Sequence, residues 1–158
     1  MGGVSAGGQA VPLARLLAMS YRLLIDGLHR RLREEGWQDI RPAYGFVLLA
    51  TRDRSTTSTD LASMLGVTKQ AVSKLLDPME DSGLIRRLID PADARVKIVE
   101  LAPRGRKLLA AVERIYAEIE AEWGKAVGLN AVELTRKHLT EIILAANDGE
   151  FPVIRLAP

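Results

Sequence analysis

The 158-residue chain has no cysteine, only two histidines and 4% aromatic residues. Without cysteine there is no disulfide framework, no thiolate metal site, no thiol nucleophile and no thiol redox switch, which suits a reducing cytoplasm. His29 and His138 stand apart among charged residues, a poor basis for a metal site or a general base. Long apolar runs are missing too. The strongest candidate, Leu13 to Leu32, is broken by Arg15, Arg22, Asp26, Arg30 and Arg31, so neither a membrane span nor a signal peptide is expected. A myristoyl anchor on Gly2 is not expected, because Ala6 stands where that pattern needs Ser or Thr. Phosphate-cradling glycine loops, H-E-x-x-H and G-x-S-x-G are absent. Glu118, Glu120 and Glu122 alternate by two, so on a helix they diverge and make a poor acid-base pair. No enzyme activity, metal or cofactor is expected.

What is present is 47% apolar residues with 22 Lys plus Arg against 20 Asp plus Glu, which suits one globular domain. The charge is uneven. Residues 68–107 carry 9 basic and 6 acidic groups, whereas residues 108–158 carry 5 and 8. A basic middle hints at a polyanionic partner, although a small excess also occurs on ordinary solvated surfaces.

Residues 1–11, rich in Gly, Ala and Ser, read as a flexible lead-in. From Leu13, apolar positions including Leu16, Leu17, Leu24, Leu28 and Leu32 recur at helical spacing until Gly36. A second helix is expected from Pro42 to about Arg52, its apolar face formed by Tyr44, Val47, Leu48 and Leu49, followed by a polar loop from Arg52 to Thr57. Near the end, Leu108, Val112, Ile115, Ile119, Trp123 and Val127 form one stripe of a long helix stopped by Gly128. A last helix is expected after Asn130 as its cap, ending at Asn147-Asp148-Gly149, with a tail over 149–158.

The middle carries the most information. Ser58 to Leu65 and Lys69 to Ser82 read as two short helices, capped by Thr57 and Thr68 and joined at Gly66. Ala62 supplies the small residue needed where two helices touch, while Leu61, Leu65, Val67, Val72 and Leu75 supply a supporting core. That spacing fits a helix-turn-helix, and also an ordinary helical hairpin with a glycine turn. Two β-rich runs follow, Ile85 to Ile89 and Val96 to Leu101, around a charged tip from Asp90 to Arg95. Arg86, Arg87, Arg95 and Lys97 cluster on this hairpin, making it a basic wing beside the second helix.

The segments TSTDLASMLGVTKQAVSKLLDPMEDSGLIRR and DPADARVKIVELAPRGRKLL resemble the MarR family of winged helix-turn-helix transcriptional regulators. The resemblance implies a mainly α fold with a small β-hairpin wing, its winged helix-turn-helix flanked by long dimerisation helices. The regions would be a DNA-binding unit at 37–103 and a helical dimerisation region at 12–36 and 104–148. It implies a cytoplasmic homodimer that binds double-stranded DNA at a palindromic operator, acting as a repressor. A winged-helix module for a protein or RNA partner is the alternative. Thr68, Lys69, Gln70, Ser73 and Lys74 would then project from the recognition helix into the major groove. Arg95 would enter the minor groove with Asp93 holding its guanidinium, and Arg86, Arg87 and Lys97 would be weaker phosphate contacts. The family's use of small aromatic or phenolic effectors implies a pocket near Tyr21, His29, Trp37, Tyr44 and Phe46, although aromatics on helical faces are also ordinary core. Two positions depart from the family pattern. Ala102 replaces a capping Thr, and Pro78 falls inside the recognition helix, where a kink or an early end near Asp77 is expected.

Overall fold

A computed structural model describes residues 10–152. Residues 1–9 of the expected lead-in and 153–158 of the expected tail lie outside the described residues. The element order is α1 (Leu13–Glu34), α2 (Tyr44–Ala50), β1 (Thr56–Thr57), α3 (Ser58–Leu65), α4 (Lys69–Asp81), β2 (Ile85–Asp90), β3 (Asp93–Leu101), α5 (Pro103–Val127) and α6 (Leu129–Ala146). The fold is mainly α with one small antiparallel sheet, ordered β1-β3-β2.

One core runs through the centre. Leu28 and Leu32 of α1, Val47 and Leu48 of α2, Leu61 and Leu65 of α3, and Val72, Leu76 and Met79 of α4 meet Ile85, Val99, Leu101, Leu108 and Ile115 there. Each fully buried aliphatic side chain contributes about 1.5 to 3 kcal/mol, so this cluster holds the helix-turn-helix to the rest of the chain. Arginine pairs add a lattice between α1 and α5. Arg31 meets Glu122 at 2.7 Å and Glu118 at 3.4 Å, while Arg114 meets Glu35 at 2.6 Å and Glu118 at 2.8 Å. Of the three alternating glutamates, Glu118 and Glu122 share Arg31 on one face, and only Glu120 diverges, turning to Arg136 on α6.

The apolar stripes at the ends of the chain are not core. Leu13, Leu16, Leu17, Met19 and Leu23 on α1 are exposed, as are Leu49, Val127, Leu134 and Ile142, and α6 buries no residue within the chain.

Three sequence expectations are corrected. The loop from Arg52 to Thr57 contains a strand, because Thr56 and Thr57 pair with Val99 and Ile98. A two-residue strand shows no alternation, and its partner lies some forty residues away, so only tertiary pairing defines it. The last helix begins at Leu129 with Gly128 at its cap, placing Asn130 inside the first turn with no side-chain cap formed. Helix α4 does not end near Asp77 but continues through Pro78 to Asp81. The lost Pro78 amide bond is offset by full burial of Met79, by the Ser82 hydroxyl donating to the Pro78 carbonyl at 2.9 Å, and by Arg87 holding Glu80.

Candidate nucleic-acid interface

Both caps of the helix-turn-helix form. The Thr57 hydroxyl accepts the Asp60 amide at 3.0 Å and the Thr68 hydroxyl accepts the Ala71 amide at 3.1 Å. Gly66 lies at φ 67°, and the Val67 and Gly66 amides donate back to the Ala62 and Ser63 carbonyls, a reversal for which a residue without Cβ is best suited. Val72, Leu76 and Met79 bury one face of α4 completely. That packing turns Lys69, Gln70, Ser73 and Lys74 outward together, with Thr68 exposed at the helix entrance. Ala71 is exposed beside them, a small residue that sequence reasoning passed over for want of a polar group. The outward face changes sign along its length, because Asp77 and Asp81 occupy its C-terminal half.

The wing is a hairpin turning at Pro91-Ala92, tighter than expected. Ile89 pairs with Lys97 and Asp90 with Asp93, so Ala94, Arg95 and Val96 form a bulge on β3 beside the turn, opposite the Ile89–Asp90 step. A bulge re-aims a side chain away from the regular alternation. The Arg95 side chain is 90% exposed, and Asp93 accepts from its Nε at 3.1 Å, its Nη2 at 3.2 Å and its backbone amide at 3.0 Å. The guanidinium and the amide hold the Asp93 carboxyl below its ordinary range, so it is ionised at neutral pH. Lys97 is exposed. Arg86 is matched across the sheet by Glu100 at 2.9 Å. Arg87 points inward to α4, where it meets Asp77 at 2.7 Å and Glu80 at 3.0 Å.

A polar cleft of about 470 Å³ lies beside the α3 N-terminus and includes Arg54, Thr56, Thr57, Ser63 and Asp90. Arg54 has no ion pair among the described residues, and its position here depends on the strand pairing that the sequence does not display.

Above the helix-turn-helix, α1, the α1–α2 connection, α2 and α5 enclose a mostly apolar cavity of about 330 Å³. Tyr21, His29 and Phe46 line it as the sequence suggested. Two residues fall elsewhere. Tyr44 is buried in the core at 3% exposure, and Trp37 borders a smaller neighbouring cleft while its ring lies 5.3 Å from the Arg104 guanidinium. Arg41, Glu113 and Tyr116 complete the polar part of the lining. Glu113 and Tyr116 come from α5, some seventy residues beyond α2, which is why a search among the first two helices missed them. Glu113 is itself held by Arg52 at 2.6 Å. Burial raises the Tyr116 phenol, helped by the nearby Tyr21.

Burial also lowers His29 below its ordinary value of 6.5, with Arg33 adding to the effect against weaker opposing contributions from the Ile40 backbone and Asp26. The unfolded chain therefore takes up a proton at this residue before the folded chain does, and stability at this site falls as pH drops below the ordinary histidine range. Thermal unfolding between about pH 7 and about pH 5 is expected to show that decline, and His29→Gln to flatten it. An unchanged slope in the variant would assign the acid sensitivity to other groups.

Among the described residues, no cluster of three or more His, Cys, Asp or Glu is arranged to hold a metal ion, and no helix is long and apolar enough to cross a membrane.

Comparison with known proteins places this geometry. The profile described as MarR family matches residues 38–96. The transcriptional regulator HosA of Escherichia coli O111:H- is 41% identical over 56 residues, which cover 35% of this chain and 42% of that regulator. The match thus spans less than half of that regulator's length. The reduced form of MarR from E. coli superposes with a TM-score of 0.73 at 25% identity, covering 86% of this chain and 99% of that one. A MepR variant from S. aureus, bound to an oligodeoxyribonucleotide, gives 0.61 at 26% identity, covering 87% and 100%. The chain thus shares the winged-helix fold of these MarR-family structures over most of its length, and its residues 38–96 match the MarR family model.

Proposed function

We propose that this chain is a homodimeric regulator that reads a palindromic site in double-stranded DNA and represses by occupying it in the cytoplasm, without catalysis. The observation that carries the reading is two exposed surfaces on packed elements: Lys69, Gln70, Ser73 and Lys74 project from a helix locked on its other face, and Arg95 is exposed near the tip of the wing whose base packs on that helix, pre-set by Asp93. Gln70 can pair bidentately with adenine, Lys69 and Lys74 can reach guanine or phosphate, and a cation on a slender hairpin suits a narrow A·T-rich minor groove. Arg86 and Lys97 are in place for phosphates.

One such unit has too small a footprint for tight specific binding. The exposed leucines of the α1 N-terminal half and the apolar face of α6, with Leu134 at 52% and Ile142 at 58% exposure, supply the surface for a second copy. The 330 Å³ cavity between α1, α2 and α5 suits a small aromatic or phenolic effector. Tyr21, His29 and Phe46 form much of its wall, and Arg41 offers a donor for a carboxylate or phenolate.

Selection from a random duplex pool at about 0.15 M salt tests the reading. Recovery of a palindrome with half-sites about one helical turn apart, bound by a particle of twice the chain mass, is the expected result. A pool without an enriched motif leaves only non-specific electrostatics and turns attention to a protein or RNA partner.

A further inference from the structure

We infer that Arg87 is a positioning residue, fixing the angle between the wing and the recognition helix by binding Glu80 and Asp77 without itself touching DNA. This rests on the DNA-reading proposal above. Arg87 lies on β2 opposite Val99, at the base of the hairpin whose far end carries Arg95. Its guanidinium Nη2 donates to Asp77 at 2.7 Å and to Glu80 at 3.0 Å, its Nε donates to Glu80 at 3.3 Å, and its backbone amide donates to the other Glu80 oxygen at 2.9 Å. Glu80 therefore binds both the side chain and the main chain of one wing residue. Such a two-point grip limits rotation of the strand as well as its distance from α4.

The place of this grip in α4 matters. Pro78 deprives the Lys74 carbonyl of its helical partner, so the turn carrying Asp77 and Glu80 is joined less firmly to the outward-facing half at Lys69 to Lys74. Tying that turn to β2 makes helix end and wing base one body. The Arg87 side chain is only 21% exposed, and a charge already engaged by two carboxylates has little left to offer a phosphate. The mutual hydrogen bonds of this partly exposed pair hold the Glu80 carboxyl low and the Arg87 guanidinium high, each chiefly through the other.

Glu80→Gln separates the possibilities, because it keeps an acceptor for the Arg87 amide while removing the charge. If Arg87 were a phosphate contact, freeing it and deleting a nearby negative charge would leave DNA affinity equal or stronger. A positioning role predicts weaker binding to the selected palindrome, by about tenfold, with binding to random duplex little changed and the protein still folded by circular dichroism. Arg87→Met, which keeps most of the stem, is expected to behave alike. The decisive readout is the increment of Arg95→Ala. In the wild-type background it is expected to weaken specific binding by about thirtyfold or more, and in the Glu80→Gln background by no more than about twofold to threefold, since a misplaced wing has little contact to lose. An unchanged Arg95 increment, or tighter binding by Glu80→Gln, overturns the inference. A wild-type chain that selects no palindrome overturns the DNA-reading proposal, and this inference with it.

Discussion

Arg95→Ala is expected to weaken binding to the selected palindrome by at least about thirtyfold at constant salt, with the loss concentrated at A·T positions flanking each half-site. A single groove-reading arginine contributes about 1 to 3 kcal/mol, and in a symmetric dimer each substitution acts twice. Pre-organisation places Arg95 towards the upper part of that range. Asp93 already holds the guanidinium in the free protein, so less side-chain freedom is lost on binding than for a free arginine on a 90% exposed stem. Asp93→Ala is accordingly expected to give a smaller loss of the same kind, because the cation remains while its aim is relaxed. Titration of fluorescent duplexes carrying the selected site and shuffled controls distinguishes the outcomes. Equal losses on both would make Arg95 a phosphate contact, and no loss on either would remove the wing from the groove.

Gly105→Ala is expected to destabilise the fold by about 2 to 4 kcal/mol, although alanine is the better helix former by about 1 kcal/mol. Gly105 sits in the first turn of α5, where a Cβ would fall inside the van der Waals envelope of the Leu84 carbonyl oxygen, at 3.0 Å from the Leu84 carbonyl carbon and 3.1 Å from the Leu101 side chain. None of these atoms can swing aside. The Leu84 carbonyl is fixed by the Ala102 amide at 3.0 Å, and Leu84 and Leu101 are both core residues. Relief requires moving the start of α5 away from the α4–β2 turn, which also disturbs the base of the wing. Gly124→Ala is the internal control. A Cβ there meets Leu129 Cδ2 at 2.6 Å, the far end of an exposed and flexible side chain, so the helix gain is expected to be kept. Urea unfolding of both variants checks the contrast. Equal effects would mean that helix propensity, and not the approach of Leu84, governs Gly105.

The helix-turn-helix was legible in the sequence to within a residue at each end, because its caps, turn glycine and apolar spacing agreed and only Pro78 pointed elsewhere. Thr57 and Thr68 cap, Gly66 reverses the chain, and Val72, Leu76 and Met79 recur at helical spacing. The outward set from Lys69 to Lys74 follows from that spacing alone, since burying one face of a helix exposes the other. Pro78 does not bring an early end to the helix, for an instructive reason. Its local penalty is real, yet it falls in a turn anchored by buried Met79 and by Arg87, and tertiary contacts outweigh a single lost amide bond.

The wing was visible as a basic hairpin, but not the division of labour among its arginines. Arg86, Arg87 and Arg95 look alike in the chain. Cross-strand register gives the first to Glu100, the packing of β2 on α4 gives the second to Glu80 and Asp77, and the bulge leaves the third projecting from the fold, with Asp93 as its partner. The cavity shows the same divide. Tyr21, His29 and Phe46 were recognisable as neighbours on consecutive helices, whereas Glu113 and Tyr116 arrive from α5 only when the chain folds back.

By itself, then, the sequence determined the helices of the helix-turn-helix, the hairpin and the outward face of α4, all of which depend on interactions within a few turns of chain. Tertiary structure alone decided which charges are engaged and which stand free, where β1 pairs, how close Leu84 comes to Gly105, and which apolar stripes stay uncovered. Those outcomes depend on contacts between residues far apart in the chain, whose energies come from packing and register that no local pattern encodes.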